Sequence, residues 1–133
     1  MTPSRTRAAG IALTVTAALG AAVVCGVATA AKAKPPATRT VTASGTALRY
    51  NVASLSAPAG RVKLVLNNKA SIRHSIAISG RSITTKKGRV VGKGGTSTVT
   101  ITLAAGRYTY FCHVEGHAKS GMKGTLTVSK PRR

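Results

Sequence analysis

Only one of the 133 residues, Glu115, is acidic. Paired-carboxylate catalysis and calcium or magnesium sites need several anionic oxygens in one place, so glycosidase-type chemistry and hard-cation binding are excluded. Aromatic residues are scarce as well, with three Tyr, one Phe and no Trp, and a core has to be built from Val, Ile, Leu and Ala. The chain is at most one domain long, which leaves no room for a large enzyme with a separate cofactor domain. Cysteine, methionine and histidine are rare too, at two, two and three residues, so any chemistry they carry must come from one compact set.

Positive charge is what the chain has in plenty: 21 Lys and Arg give a formal net charge of +20. Such a balance ordinarily suggests nucleic acid, because Lys and Arg displace phosphate counterions without base contacts. The N-terminus argues against that partner. Arg5 and Arg7 precede an uncharged stretch, residues 8–31, that includes Ile11, Leu13, Val15, Leu19, Val23 and Val24 and closes with Ala28-Thr29-Ala30. Residues 1–30 therefore read as a secretory signal with small residues at its cleavage site. The stretch is also long enough to span a bilayer as an uncleaved anchor, the one case that makes the membrane a partner. Either way the rest of the chain is expected to be exported: periplasmic, at the cell surface or secreted. Arg5-Thr6-Arg7 is not a twin-arginine pair, which favours export of an unfolded chain. Cys25 follows the bulky Val24 and reads as an apolar residue of the signal rather than a lipid-bearing cysteine. Cleavage after Ala30 leaves one cysteine, Cys112. A lone thiol in an oxidising compartment has no internal disulfide partner, and must be inert, paired between molecules or bound to something.

Residues 31–39, with Lys32, Lys34 and Pro35-Pro36, read as a stiff extended linker. Residues 40–129 form the domain, and 130–133 a basic tail. Within the domain apolar residues recur at every second position: Val62, Leu64 and Leu66; Ile76 and Ile78; Val99, Ile101 and Leu103; Leu126 and Val128. Period-two alternation marks half-buried strands. Turn formers separate them at 56–60, 67–69, 88–95 and 104–106. Strands are expected near 40–43, 48–55, 61–66, 73–79, 96–103, 107–112 and 124–129, with no helix after the signal and no internal repeat. Seven short strands this closely punctuated predict an all-β antiparallel sandwich of two sheets.

Strand parity puts Tyr108, Tyr110 and Cys112 on one face, with Cys112 last before a loop of turn formers. The loop has the pattern C-x4-H-x4-M, with Cys112, His117 and Met122. Upstream, His74 shares a face with Ile76 and Ile78. Taken singly, Cys112 suits a buried inert thiol, His74 a core histidine and Met122 core filler. Together, one thiolate, two imidazoles and a thioether make a soft-to-borderline donor set suited to copper, of the kind found in trigonal His2Cys sites with a weak axial Met. Zinc could occupy the same donors adventitiously.

Tyr108-Thr109-Tyr110-Phe111-Cys112, the spaced His117 and Met122, the run Gly121-Met122-Lys123-Gly124-Thr125-Leu126, and upstream Ala59-Gly60, Asn67, Asn68 and His74 resemble a bacterial cupredoxin of the plastocyanin/azurin family over roughly residues 48–128. The resemblance implies a Greek-key β-sandwich of about seven strands holding one type 1 copper. It implies His74, Cys112 and His117 as equatorial ligands, Met122 as the axial one, and His117, beside Gly116 and Ala118, as the electron port. Two departures stand out. Ser75 follows the first ligand where relatives often carry a bracing Asn, which implies a looser or differently bonded surround for the metal. His113 and Glu115 replace a small polar residue and a proline.

The expected function is that of an exported carrier passing single electrons through a Cu(I)/Cu(II) cycle between redox proteins, without catalysis. The alternative is a copper storage or delivery protein, or an accessory domain of an uptake or oxidase system. Storage favours tracts of Met and His, which the chain lacks. A multicopper relay through His113 needs more histidines than three, and a cysteine hydrolase lacks an orienting carboxylate. By parity His113 is expected to be solvated, Glu115 to be exposed in the loop, and Tyr108 and Tyr110 to pack in the core and at its rim. Arg81, Lys86, Lys87, Arg89 and Lys93 fall in one stretch, 80–95, read as a single turn-rich loop. Its charge fits either adhesion to an anionic cell envelope or steering of an acidic redox partner.

Overall fold

Val62, Leu64 and Leu66 alternate with Arg61, Lys63 and Val65, so an extended backbone buries one row and leaves the other toward solvent. Each fully buried aliphatic side chain contributes roughly 1.5–3 kcal/mol, and this pattern repeats through the chain. The computed structural model describes Gly26 and residues 29–132; of the expected signal, all but Gly26, Thr29 and Ala30 lies outside the described residues. Among the described residues there are eight strands: β1 (Ala37–Ala43), β2 (Ser54–Pro58), β3 (Gly60–Asn68), β4 (Ala77–Gly80), β5 (Ile83–Lys87), β6 (Thr96–Leu103), β7 (Gly106–Phe111) and β8 (Lys123–Ser129). They form a three-stranded sheet, β1-β3-β6, and a five-stranded sheet, β2-β8-β7-β4-β5. The chain switches sheets at most connections, and the inward rows of the two sheets make one core. There is no helix among the described residues.

The all-β sandwich is as expected, with four corrections. Two of the pairings are parallel, β1 with β3 and β2 with β8, and in both the parallel strand is the edge strand of its sheet. β1 begins at Ala37, inside the stretch read as linker. Residues 48–53 are not a strand: Asn51 Oδ1 accepts the Thr42 amide at 2.7 Å and the Asn51 amide donates to the Thr42 carbonyl at 2.9 Å, a local clasp that takes the place of a ladder. The strand expected there starts at Ser54 and ends on Pro58, which an edge strand tolerates.

The fourth correction is the eighth strand. β5 lies inside the stretch read as one loop and pairs with β4 through Ala77–Lys87 and Ile78–Lys86. Ile83, Thr84 and Thr85 suit a strand, while Lys86 and Lys87 put charge on an open sheet edge that would otherwise invite pairing. Arg81 sits in the β4–β5 turn, at the opposite pole from Lys87 and Arg89. The segment thus divides its charge between the two ends of the sandwich.

Candidate metal centre

His74 belongs to no strand. It is fixed by a two-bond bridge to Val91, with its amide donating to the Val91 carbonyl at 3.0 Å and its carbonyl accepting the Val91 amide at 2.8 Å. Asn68, buried at the end of β3, secures the approach: its Nδ2 donates to the carbonyls of Ile72 and Val91, and its Oδ1 accepts the Ala70 amide. Residues 74–78 are all buried, so the alternation expected through 73–79 gives way to a segment enclosed on every side.

Tyr108, Tyr110 and Cys112 do share the inward face. The loop after Cys112 closes on itself, for the Cys112 amide donates to the Met122 carbonyl and the Met122 amide to the His117 carbonyl, both at 3.0 Å. Gly121 takes φ 109°, which disfavours any side chain, and lets the chain turn back so that Met122 re-enters the core. His74, Cys112 and Met122 are fully buried, whereas His117 is half-exposed.

His74 Nδ1 and His117 Nδ1 are 3.2 Å apart, His117 Nδ1 and Cys112 Sγ 3.5 Å apart, and one donor atom from each of the three residues lies within 4.8 Å of the others. The rings meet tilted at 60° with centroids 5.1 Å apart. Burial, and secondarily the His117 ring, hold the His74 imidazole below the usual histidine range, so its lone pair stays free to bind metal as the pH falls. His74 Nε2 is buried without a partner; packing and the Val91 bridge, not a second ring bond, orient it. Three convergent lone pairs of soft and borderline character, with no carboxylate among them and a buried thioether on the next turn of chain, fit one type 1 copper ion.

His113 is not solvated as expected. It is half-buried, its Nε2 lies 2.8 Å from the Gly88 carbonyl oxygen and its amide donates to Ser75 Oγ at 3.1 Å. The chain leaves the strand geometry after Phe111, and parity no longer holds there. Glu115 is exposed, as expected. Of the two alternatives for Ser75, a differently bonded surround is the one seen: its amide lies 3.4 Å and its Oγ 3.5 Å from Cys112 Sγ. Tyr50 completes the surround. Its hydroxyl donates to the Ser75 carbonyl at 2.7 Å, its ring meets that of Tyr110 tilted at 40° with centroids 5.6 Å apart, and burial raises its pKa far above the usual tyrosine range, with Cys112 and Tyr110 adding to the effect. Neither Asn68 nor Tyr50 announces this role in the sequence, beyond being a polar residue closing a strand and one of only three tyrosines.

A two-sheet sandwich that brings two imidazoles, a thiol and a thioether to one pole has the make-up of a single type 1 copper centre. The chain belongs to the cupredoxin-like domain family, whose profile matches residues 15–128. Among solved structures it is similar to auracyanin B, with 26% identity over 74% of this chain and 93% of that one and a TM-score of 0.61. It is also similar in fold to the dithionite-reduced auracyanin of Roseiflexus castenholzii, with 24% identity, 72% and 99% coverage and a TM-score of 0.60. Auracyanin A of Chloroflexus aurantiacus, a "blue" copper protein, shares the fold at 22% identity, 71% and 100% coverage and a TM-score of 0.61. No curated protein sequence matches at a significant level.

Proposed function

We propose that His74, Cys112 and His117 hold one copper ion with Met122 as a weak axial donor, and that the protein, exported by its N-terminal signal, carries single electrons between redox proteins. The observation that carries this reading is the convergence of two Nδ1 atoms and one Sγ at the closed end of a packed core. Bound copper supplies a one-electron couple. The chain supplies rigidity: the Val91 bridge, the Met122–Cys112 and Met122–His117 backbone bonds and the Asn68 clasp fix the donors before metal arrives, so little has to move when charge changes. His74, Cys112 and Met122 exclude water, while the half-exposed edge of His117 offers the short route to a partner. Ile72, the one large apolar side chain with substantial exposure among the described residues, lies on the same pole and gives a docking partner an apolar contact. Adding Cu(II) to the exported protein, whose mass is expected to fit a chain beginning near Ala31, should give one equivalent of tightly bound metal and an intense visible thiolate-to-copper band. A colourless complex without sulfur in its coordination shell would refute the assignment.

The partner is proposed to be acidic. Lys69, Arg73, Lys87, Arg89, Lys93 and Lys119 are exposed, and the strand ends and ligand loops that carry them surround the metal pole, with Glu115 the only opposing charge. Opposite potentials speed encounter and fade as salt screens them. Electron exchange with an acidic redox protein, followed by stopped flow, is expected to slow about tenfold or more between low and physiological salt. Reversing Lys87, Arg89 and Lys93 to Glu should flatten that dependence and spare the visible spectrum. Rates indifferent to both changes would reduce the basic surface to a solubilising or envelope-adhering role. Lys86 is a poor choice for reversal, because its Nζ is tied to the Thr100 carbonyl at 2.7 Å.

A further inference from the structure

Given Cys112 as the metal thiolate, we propose that Ser75 is a positioning residue whose side-chain hydroxyl donates to the cysteine sulfur, beside the contact that its backbone amide makes there. The two donors lie 3.4 Å and 3.5 Å from Sγ, and both residues are fully buried.

The direction of the hydroxyl bond follows from its surroundings. Ser75 Oγ accepts the His113 amide at 3.1 Å, which occupies a lone pair and leaves its own proton to be placed. Cys112 Sγ is the acceptor within reach in this buried setting, and burying a hydroxyl proton without an acceptor is unfavourable. A protonated thiol could reverse that bond; a thiolate has no proton to give, so the hydroxyl must be the donor. The amide has no such ambiguity. The next peptide is held as well, where Tyr50 donates to the Ser75 carbonyl at 2.7 Å, so the residue is fixed on both sides of its Cα. His113 in turn is tied to the Gly88 carbonyl, so the group that orients the hydroxyl is itself anchored, to the segment just beyond β5.

Hydrogen bonds to the cysteine sulfur draw electron density from it and weaken its donation, which Cu(II) needs more than Cu(I). The hydroxyl should therefore favour the reduced state and move the charge-transfer band to higher energy. Removing it in Ser75→Ala should shift the redox equilibrium toward the oxidised form by about three- to tenfold, tenfold being about 59 mV for a one-electron couple, and move the band to longer wavelength. Ser75→Thr, which keeps the hydroxyl, should restore both. Spectroelectrochemical titration of the three proteins reads both quantities.

A blue, folded Ser75→Ala protein with unchanged potential and band overturns the proposal, as do equal shifts in the Ala and Thr variants, which would mean a packing effect. A colourless unsubstituted protein instead defeats the ligand assignment, and this proposal with it. Should Ser75→Ala not fold, NMR of the unsubstituted Cu(I) protein decides. A slowly exchanging Ser75 hydroxyl proton with a cross-relaxation peak to the Cys112 β-protons supports the bond, and a hydroxyl proton directed elsewhere or exchanging freely with water overturns it.

Discussion

Replacing Cys112 by serine is expected to remove the visible band completely and to weaken copper binding, while the metal-free domain keeps its fold. The band requires a sulfur orbital, and a serine hydroxyl remains protonated at neutral pH and is a hard, weak donor where a thiolate is a strong one. The fold should survive because the oxygen inherits hydrogen-bonding neighbours: the amide and hydroxyl of Ser75 already face this position. Optical titration with Cu(II), paired with thermal unfolding of the metal-free protein, separates the two effects. Retention of the band would remove Cys112 from the centre. Collapse of the metal-free fold would mean that the thiol acts chiefly in packing.

A second large effect is expected two residues beyond Met122. Gly124 pairs with Tyr110 across β7 and β8, and a Cβ there would overlap Cζ and the hydroxyl oxygen of Tyr110 and lie 2.7 Å from the Ala53 carbonyl oxygen. Tyr110 has nowhere to go: it is fully buried, and its hydroxyl donates to the Val52 carbonyl at 2.6 Å. Overpacking of this kind costs about 1–3 kcal/mol and sometimes more. Gly124→Ala is therefore expected near the top of that range, about 3 kcal/mol, lowering the melting temperature by roughly 12–24 °C for a domain of this size. Calorimetry or circular dichroism of the metal-free protein measures it. A change below about 0.5 kcal/mol would mean that the strands part freely here.

The core rows and the residues that converge at the candidate site were legible from sequence because each has a short-range signature. Val62, Leu64 and Leu66, or Leu126 and Val128, reveal their burial by alternation alone; Cys112, His117 and Met122 lie within one loop, and His74 sits among inward aliphatics. What was hidden depends on contacts far apart in the chain. Asn51 undoes an apparent strand by clasping Thr42, and Lys86 and Lys87 belong to a strand although the glycines that follow suggest a loop. Asn68 looks like a turn residue, yet it closes β3 and braces the His74 approach. His113 escapes parity because the strand ends at Phe111, and Ser75 and Tyr50 gain their roles only where the β3–β4 connection meets the ligand loop. Alternation reports which way a residue faces; it carries no information about the partner it finds there.

Because β1 runs parallel to β3, Ala37 pairs with Val62 at the pole away from the donors, while Ala43 pairs with Asn68 beside them. β8 leaves Met122 and finishes at Ser129 on that same distant pole, next to Ala59. Both ends of the folded domain are thus berthed at its stern. A membrane moor, a fused module or a purification handle added at either end would pull from behind and leave the bow, with its histidine edge and ring of cations, open to whatever it meets.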